Sequence, residues 1–180
     1  MHTLQTVVGL AWLPFWLYWL IAATGAKAST GPRVRFPAVG VSIVAVVVVV
    51  RAFHGGSLAV HSLVLGVIGA VIFAAGLSLA IWARIFLGGN WGMPMTERAE
   101  PELVTSGPYR FVRHPIYSGL LLGVLGTALV TNLFGLIIAA LLGGYFYWSA
   151  TVEEGNLTRV FPTQYPEYRE HTKMLIPFVL

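Results

Sequence analysis

Residues 103–119 read Leu-Val-Thr-Ser-Gly-Pro-Tyr-Arg-Phe-Val-Arg-His-Pro-Ile-Tyr-Ser-Gly, a polar, cationic and aromatic stretch set between long apolar runs. Tyr109, Arg110, Arg113, His114 and Tyr117 crowd into it, so hydrogen bonding, charge pairing and proton transfer are all within reach of one loop. Gly107-Pro108 signals a turn and His114-Pro115 a boundary, because the residue before proline avoids the helical region while proline suits a first helical position. A helix is therefore predicted to start near Pro115, with its free N–H groups facing the loop and favouring an anion. Glu153 and Glu154 directly follow another apolar run, a depth at which carboxylates usually have a partner or a ligand. Brought to the same face as Arg113 and His114, they would form a pocket of cations and carboxylates suited to a zwitterionic, positively charged ligand.

The elements that must position these groups are apolar. Of 180 residues, 57% are hydrophobic and 10% charged, with a mean hydropathy of +0.77. A soluble domain would carry about a quarter charged residues, so an all-α integral membrane bundle in a lipid bilayer is the expected class. The absence of cysteine excludes disulfides, thiol catalysis and thiolate metal sites. The net charge of +4 fits basic loops facing anionic lipid, and no nucleic-acid partner is expected. All seven acidic residues are Glu and lie after residue 96, so residues 1–87 read as wall and residues 88–180 as the region carrying the chemistry.

Apolar segments at about 4–23, 37–54, 58–87, 116–131 and 133–151 predict about five transmembrane helices, the last two a tight hairpin. Ala26-Lys27-Ala28 resembles a signal-peptide cleavage site. Yet no Lys or Arg precedes the first apolar run, and Trp12, Phe15, Trp16, Tyr18 and Trp19 occupy it, so it reads as a retained span. Segments 24–36 and 88–114 and the tail carry Lys and Arg, whereas the loops near 54–57 and 132 carry none. The positive-inside rule then predicts an outer N-terminus, with the 88–114 loop and the C-terminus in the cytoplasm. Three stripes of small residues are predicted to pack these helices closely: Gly66/Ala70/Ala74/Ser78, Gly119/Gly123/Thr127 and Gly135/Ala139/Gly143. Phe161, Tyr165 and Tyr168 suggest a short amphipathic helix that closes the site or rests on lipid. His54 and His61 lie seven apart but lack a third ligand nearby, so no metal site is expected.

The 103–119 run, followed by Glu153-Glu154-x-x-Leu157 and Phe161-x-x-x-Tyr165-x-x-Tyr168, resembles the isoprenylcysteine carboxyl methyltransferase and phospholipid methyltransferase group. The likeness covers about residues 88–178, including Asn90-Trp91 and Ile176-Pro177. It implies a small membrane enzyme that binds S-adenosylmethionine between a cytoplasmic loop, the ends of the last helices and the C-terminal helix. A lipophilic or isoprenoid-like acceptor would arrive laterally from the bilayer. Carried over by position, the cofactor contacts would be Leu103, Val104, Tyr109, His114, Pro115, Ile116, Tyr117 and Glu153, with Pro101 and Glu102 nearby. The Pro115 helix terminus and His114 would suit the ligand carboxylate, and Glu153 its ammonium or sulfonium.

One departure bears on the acceptor. The eukaryotic prenylcysteine enzymes place an Arg four residues before the first Glu of the pair, where this chain has Ser149. An acceptor without a carboxylate is then favoured, and Arg113 is the remaining candidate to orient one that has it. For an amine, hydroxyl or thiol acceptor, Glu154 is the expected base, with a pKa raised at the membrane edge. The rivals are a NADPH-dependent membrane lipid reductase, since sterol reductases carry a related Arg-His-Pro-x-Tyr segment, and a non-enzymatic scaffold or transporter. A transporter would place polar residues near mid-bilayer, and these segments hold almost none.

Overall fold

Five α-helices form within the described residues, 1–23, 58–91 and 102–177, of a computed structural model: α1 (His2–Ala23), α2 (Leu63–Leu87), α3 (Pro115–Val130), α4 (Gly135–Val160) and α5 (Gln164–His171). Two 3-10 turns, Gly88–Asn90 and Gly107–Arg110, flank the loop between α2 and α3. The predicted segment 37–54, His54 and Pro101 lie outside the described residues. By length and composition α1, α2 and α4 can each cross a membrane. At 16 residues α3 is shorter, about 24 Å at 1.5 Å per residue against a hydrocarbon core of about 30 Å.

Two boundaries differ from the sequence reading. Residues 58–62 are not helical: Val60 N donates to Thr131 O and Leu133 N to Leu58 O, so this stretch pairs with the α3–α4 turn. Ser62 then caps α2, its hydroxyl accepting from Leu65 N. At the other end of the chain, α4 does not stop near 151 but continues to Val160, so Glu153 and Glu154 sit inside a helix. Hydropathy fades there, but the helix persists, Glu being a good helix former.

The tightest packing is between α2 and α3. A Cβ on Gly76 would lie 2.6 Å from Gly119 O and Gly123 N, and one on Gly69 2.7 Å from Gly126 O. The small-residue face that α2 turns to α3 is therefore Gly69, Gly76 and Ala80, not the predicted Gly66/Ala70/Ala74/Ser78 stripe. Gly66 instead meets Met1 and Leu4, at the start of α1. Val8, Phe15, Phe73, Leu77, Ala80 and Val130 form the core joining α1, α2 and α3. Opposite faces leave Leu13, Leu17, Val64, Val71, Ile137 and Leu141 exposed, as expected of surfaces that meet acyl chains rather than water.

Helices α1 and α2 run in the same direction. Gln5, near the start of α1, donates to Val130 O at the end of α3, while Arg84, in the last turn of α2, donates to Ala22 O and Gly88 O. Arg84 is 4% exposed and lies under the Trp91 ring, with its guanidinium carbon 4.8 Å from the centroid. A buried cation here neutralises the carbonyl ends of two helices and fixes the floor of the loop that follows.

Candidate functional site

The site grows from the His114-Pro115 step. Pro115 starts α3 as the sequence predicts, and His114 precedes it with φ −125° and ψ 60°. The loop is held there by the C-terminal tail: Arg113 N donates to Lys173 O at 2.8 Å, His114 N to Met174 O at 3.0 Å, and Ser118 Oγ to Leu175 O at 2.5 Å. The helix terminus expected to face an anion is thus crossed by a strand-like tail.

Three side chains of this loop and helix start meet the Glu pair on α4. His114, 8% exposed, stands with Nδ1 3.4 Å from Glu153 Oε2 and Nε2 3.4 Å from Glu154 Oε1. Burial lowers the His114 pKa, but hydrogen bonding and charge from Glu153 and Glu154 outweigh it and raise the value above the ordinary 6.5. Tyr117 O–H donates to Glu153 Oε1 at 2.5 Å and lies 3.1 Å from Ser149 Oγ. Its ring stacks between His114 (centroids 5.5 Å) and Phe146 (4.6 Å), both within 6° of parallel. The imidazole, phenol and carboxylate are thereby fixed by packing as well as by hydrogen bonds.

Arg113 and Glu154 are engaged differently from the expectation. Arg113 Nε donates to Glu154 Oε1 at 2.7 Å, and its Nη1 donates to the carbonyls of Arg169 and Thr172. Arg169 adds a second cation 3.6 Å from Glu154 Oε2. With side chains only 8% and 5% exposed, Arg113 and Glu154 form a buried clamp between α4 and the tail. Arg113 has no free fork for an acceptor carboxylate, and Glu154 is held as one half of an ion pair rather than as a free proton acceptor. Glu153 is the member of the pair with open surface, its side chain 25% exposed.

The other sequence candidates fall into separate places. Tyr109 is buried in the 3-10 turn, and burial followed by the neighbouring Tyr168 pushes its phenol pKa well up. Tyr168 O–H donates to Tyr109 O at 2.5 Å, which ties α5 to the loop. Glu102 accepts from Asn90 Nδ2 at 2.9 Å. Leu103 borders a cleft under α5, and Val104 is half-buried. Pro115 is fully buried and Ile116 packs on the Tyr117/Phe146/Met174 cluster, so both serve packing in this structure.

Sequence reasoning did not single out Arg84, Phe146, Arg169 or Thr172 as partners of the site, and it weighed Ser149 only as a missing Arg. Arg84 carried a usable signal, as the one Lys or Arg in residues 63–87. Ser149 is 0% exposed and bonded to Tyr117, so a small hydroxyl fills the place a long cationic side chain would need. Arg169 and Thr172 act through backbone carbonyls towards Arg113, which residue types do not disclose.

Residues 64–164, more than half of the chain, match the family described as phospholipid methyltransferase. The cobalt-zinc-cadmium resistance protein CzcN of Cupriavidus metallidurans is 30% identical over 64% of this chain and 49% of its own length. The protein-S-isoprenylcysteine O-methyltransferase of Schizosaccharomyces pombe is 35% identical over 43% of this chain and 34% of its own. Methanethiol S-methyltransferase 1 of Bradyrhizobium diazoefficiens is 33% identical over 46% and 28% respectively. The chain therefore spans half or less of the length of each. Among solved structures, the eukaryotic intramembrane Ras methyltransferase shares the fold, with a TM-score of 0.61 at 24% identity over 81% of this chain and 54% of that one.

Proposed function

Because this chain belongs to the phospholipid methyltransferase family, we propose that it moves a methyl group from S-adenosylmethionine to a lipophilic acceptor bearing an amine, hydroxyl or thiol. The observation that carries this reading is the convergence of His114, Tyr117 and a part-exposed Glu153 at the seam of α3 and α4. When bound, S-adenosylmethionine supplies a methyl carbon already activated by a sulfonium, so the protein has to position and exclude water rather than create an electrophile.

The residues present fit that donor. Glu153 offers a carboxylate with open surface to an ammonium or sulfonium, and Tyr117 and His114 hold its two oxygens in place. The Arg113–Glu154 clamp keeps the tail across the start of α3 and so fixes His114. Its role in this reading is positioning, where the sequence suggested acceptor binding for Arg113 and proton transfer for Glu154. If the acceptor must lose a proton, Glu153 Oε2 is the carboxylate placed to take it. With Ser149 buried and Arg113 paired, neither position offers a cation to an acceptor carboxylate, which favours a neutral nucleophile. The excess of Lys and Arg in the loops of this face supports a site on the cytoplasmic side of the membrane, which acceptors would reach from the bilayer.

Purified protein in nanodiscs, given methyl-labelled S-adenosylmethionine and a membrane lipid extract, is expected to pass label to the apolar fraction. Glu153→Gln should reduce transfer at least about tenfold while leaving the protein folded. Undiminished transfer by that variant rejects the assignment of Glu153.

A further inference from the structure

The end of the bundle that holds His114 also carries exposed groups that the Glu153 site does not use. On the last turns of α2, Trp82 and Phe86 are both exposed and meet edge to face, with ring centroids 6.0 Å apart. The Gly107–Arg110 turn rests on that rim, since a Cβ on Gly107, at φ +59°, would lie 2.5 Å from the Phe86 ring. Phe111 follows the turn and is exposed, and the exposed Arg110 lays its guanidinium over the Phe111 ring, 4.5 Å from the centroid. The backbone then pairs with the tail at Val112 and Lys173, and Lys173 is exposed in its turn. Ile176 continues the apolar rim beside the start of α3, where Leu175 O accepts from Ser118 Oγ.

These groups fit one kind of surface. Bulky aromatics exposed at the end of a helix able to cross a membrane belong at the boundary between acyl chains and headgroups. Arg110 and Lys173 stand at the same boundary, from the two sides of one backbone pairing. Stacking on Phe111 uses the face of the guanidinium, so its in-plane N–H groups can still donate to a phosphate. Lys173 adds a second cation on a long, flexible stem. A headgroup of net negative charge complements both, whereas a zwitterionic one brings its own cation to the pair.

We propose that Arg110 and Lys173, above the rim of Trp82, Phe86, Phe111 and Ile176, hold the headgroup of an anionic phospholipid in the leaflet that meets this end of the bundle. The lipid would join loop to tail at the residues that place Arg113 and His114, without entering their site.

Native mass spectrometry of the full chain, released from micelles holding equal amounts of dioleoylphosphatidylglycerol and dioleoylphosphatidylcholine, reads which lipid is retained. Wild type is expected to retain the anionic lipid at least about fivefold over the zwitterionic one, the gain expected of even one basic residue near an anionic lipid surface. The double variant Arg110→Gln/Lys173→Gln changes only exposed side chains and should bring that ratio near parity. Arg159→Gln removes an exposed cation at the end of α4, where it bonds Asn156, and should keep the wild-type ratio. Circular dichroism verifies that each variant is folded. Parity in wild type, a wild-type ratio in the double variant, or an equal loss in Arg159→Gln overturns the assignment.

Discussion

Tyr165 and Tyr168 lie one turn apart on α5 and differ in what their hydroxyls find. Tyr168 donates to Tyr109 O, whereas Tyr165 is 1% exposed and its hydroxyl has no hydrogen-bond partner among the described residues. Burial pushes the Tyr168 phenol up to about 12, and that of Tyr165 higher still, so both enter these contacts as neutral phenols. Tyr168→Phe is expected to cost about 1 kcal/mol, and Tyr165→Phe to be neutral or stabilising, because only the first removes a bond that is made. Thermal unfolding in detergent separates them; equal losses would contradict the hydrogen-bond assignment. His114 adds a pH signature. Its folded-state pKa lies above 6.5, so its charge contributes stability that is fully present below about pH 6.5 and lost as pH rises through the raised value. The unfolding midpoint should therefore fall on the alkaline side in wild type and flatten in His114→Gln. Identical slopes in the two proteins would remove the charged imidazole from the account.

Helices were legible in the sequence where one local rule decided them and less so where tertiary partners did. The start of α3 followed from His114-Pro115 alone, since proline restricts both residues wherever they occur. The end of α4 did not follow from hydropathy, because the helix runs past the apolar stretch into Glu153 and Glu154, which meet Tyr117, His114 and Arg113 from elsewhere. The α2 stripe was misread for a related reason: small residues at both four- and seven-residue spacings lie on that helix, and periodicity does not say which neighbour each face meets. Substitution at the crossing reports on this directly. Gly76→Ala places a methyl 2.6 Å from backbone atoms of α3 and is expected to cost about 1–3 kcal/mol. Gly143→Ala meets only Leu121 at 3.9 Å and should be neutral or stabilising by up to about 1 kcal/mol, as alanine favours the helix. Denaturant titration in detergent checks both, and equal tolerance at the two positions would contradict the α2–α3 crossing.

At the scale of the whole molecule, the class and the family were visible in composition and in the paired motifs, whereas the division of labour inside the site was not. Sequence spacing brought Arg113, His114, Tyr117, Glu153 and Glu154 together correctly as a group. It could not show that the tail occupies Arg113, that Arg113 in turn occupies Glu154, and that Glu153, bonded to Tyr117, is the more exposed of the two carboxylates. Glu154 thus holds the tail, and Glu153, bonded to Tyr117 and beside His114, is the carboxylate proposed to meet a ligand. Calorimetric titration of S-adenosylhomocysteine into wild type and Glu153→Gln tests this most directly. The account expects saturable one-to-one binding by wild type, weakened at least about tenfold in Glu153→Gln, as loss of a charged hydrogen-bonding partner requires. A folded wild-type protein that gives no binding heat or competition, or a Glu153→Gln variant that binds as wild type does, would contradict it.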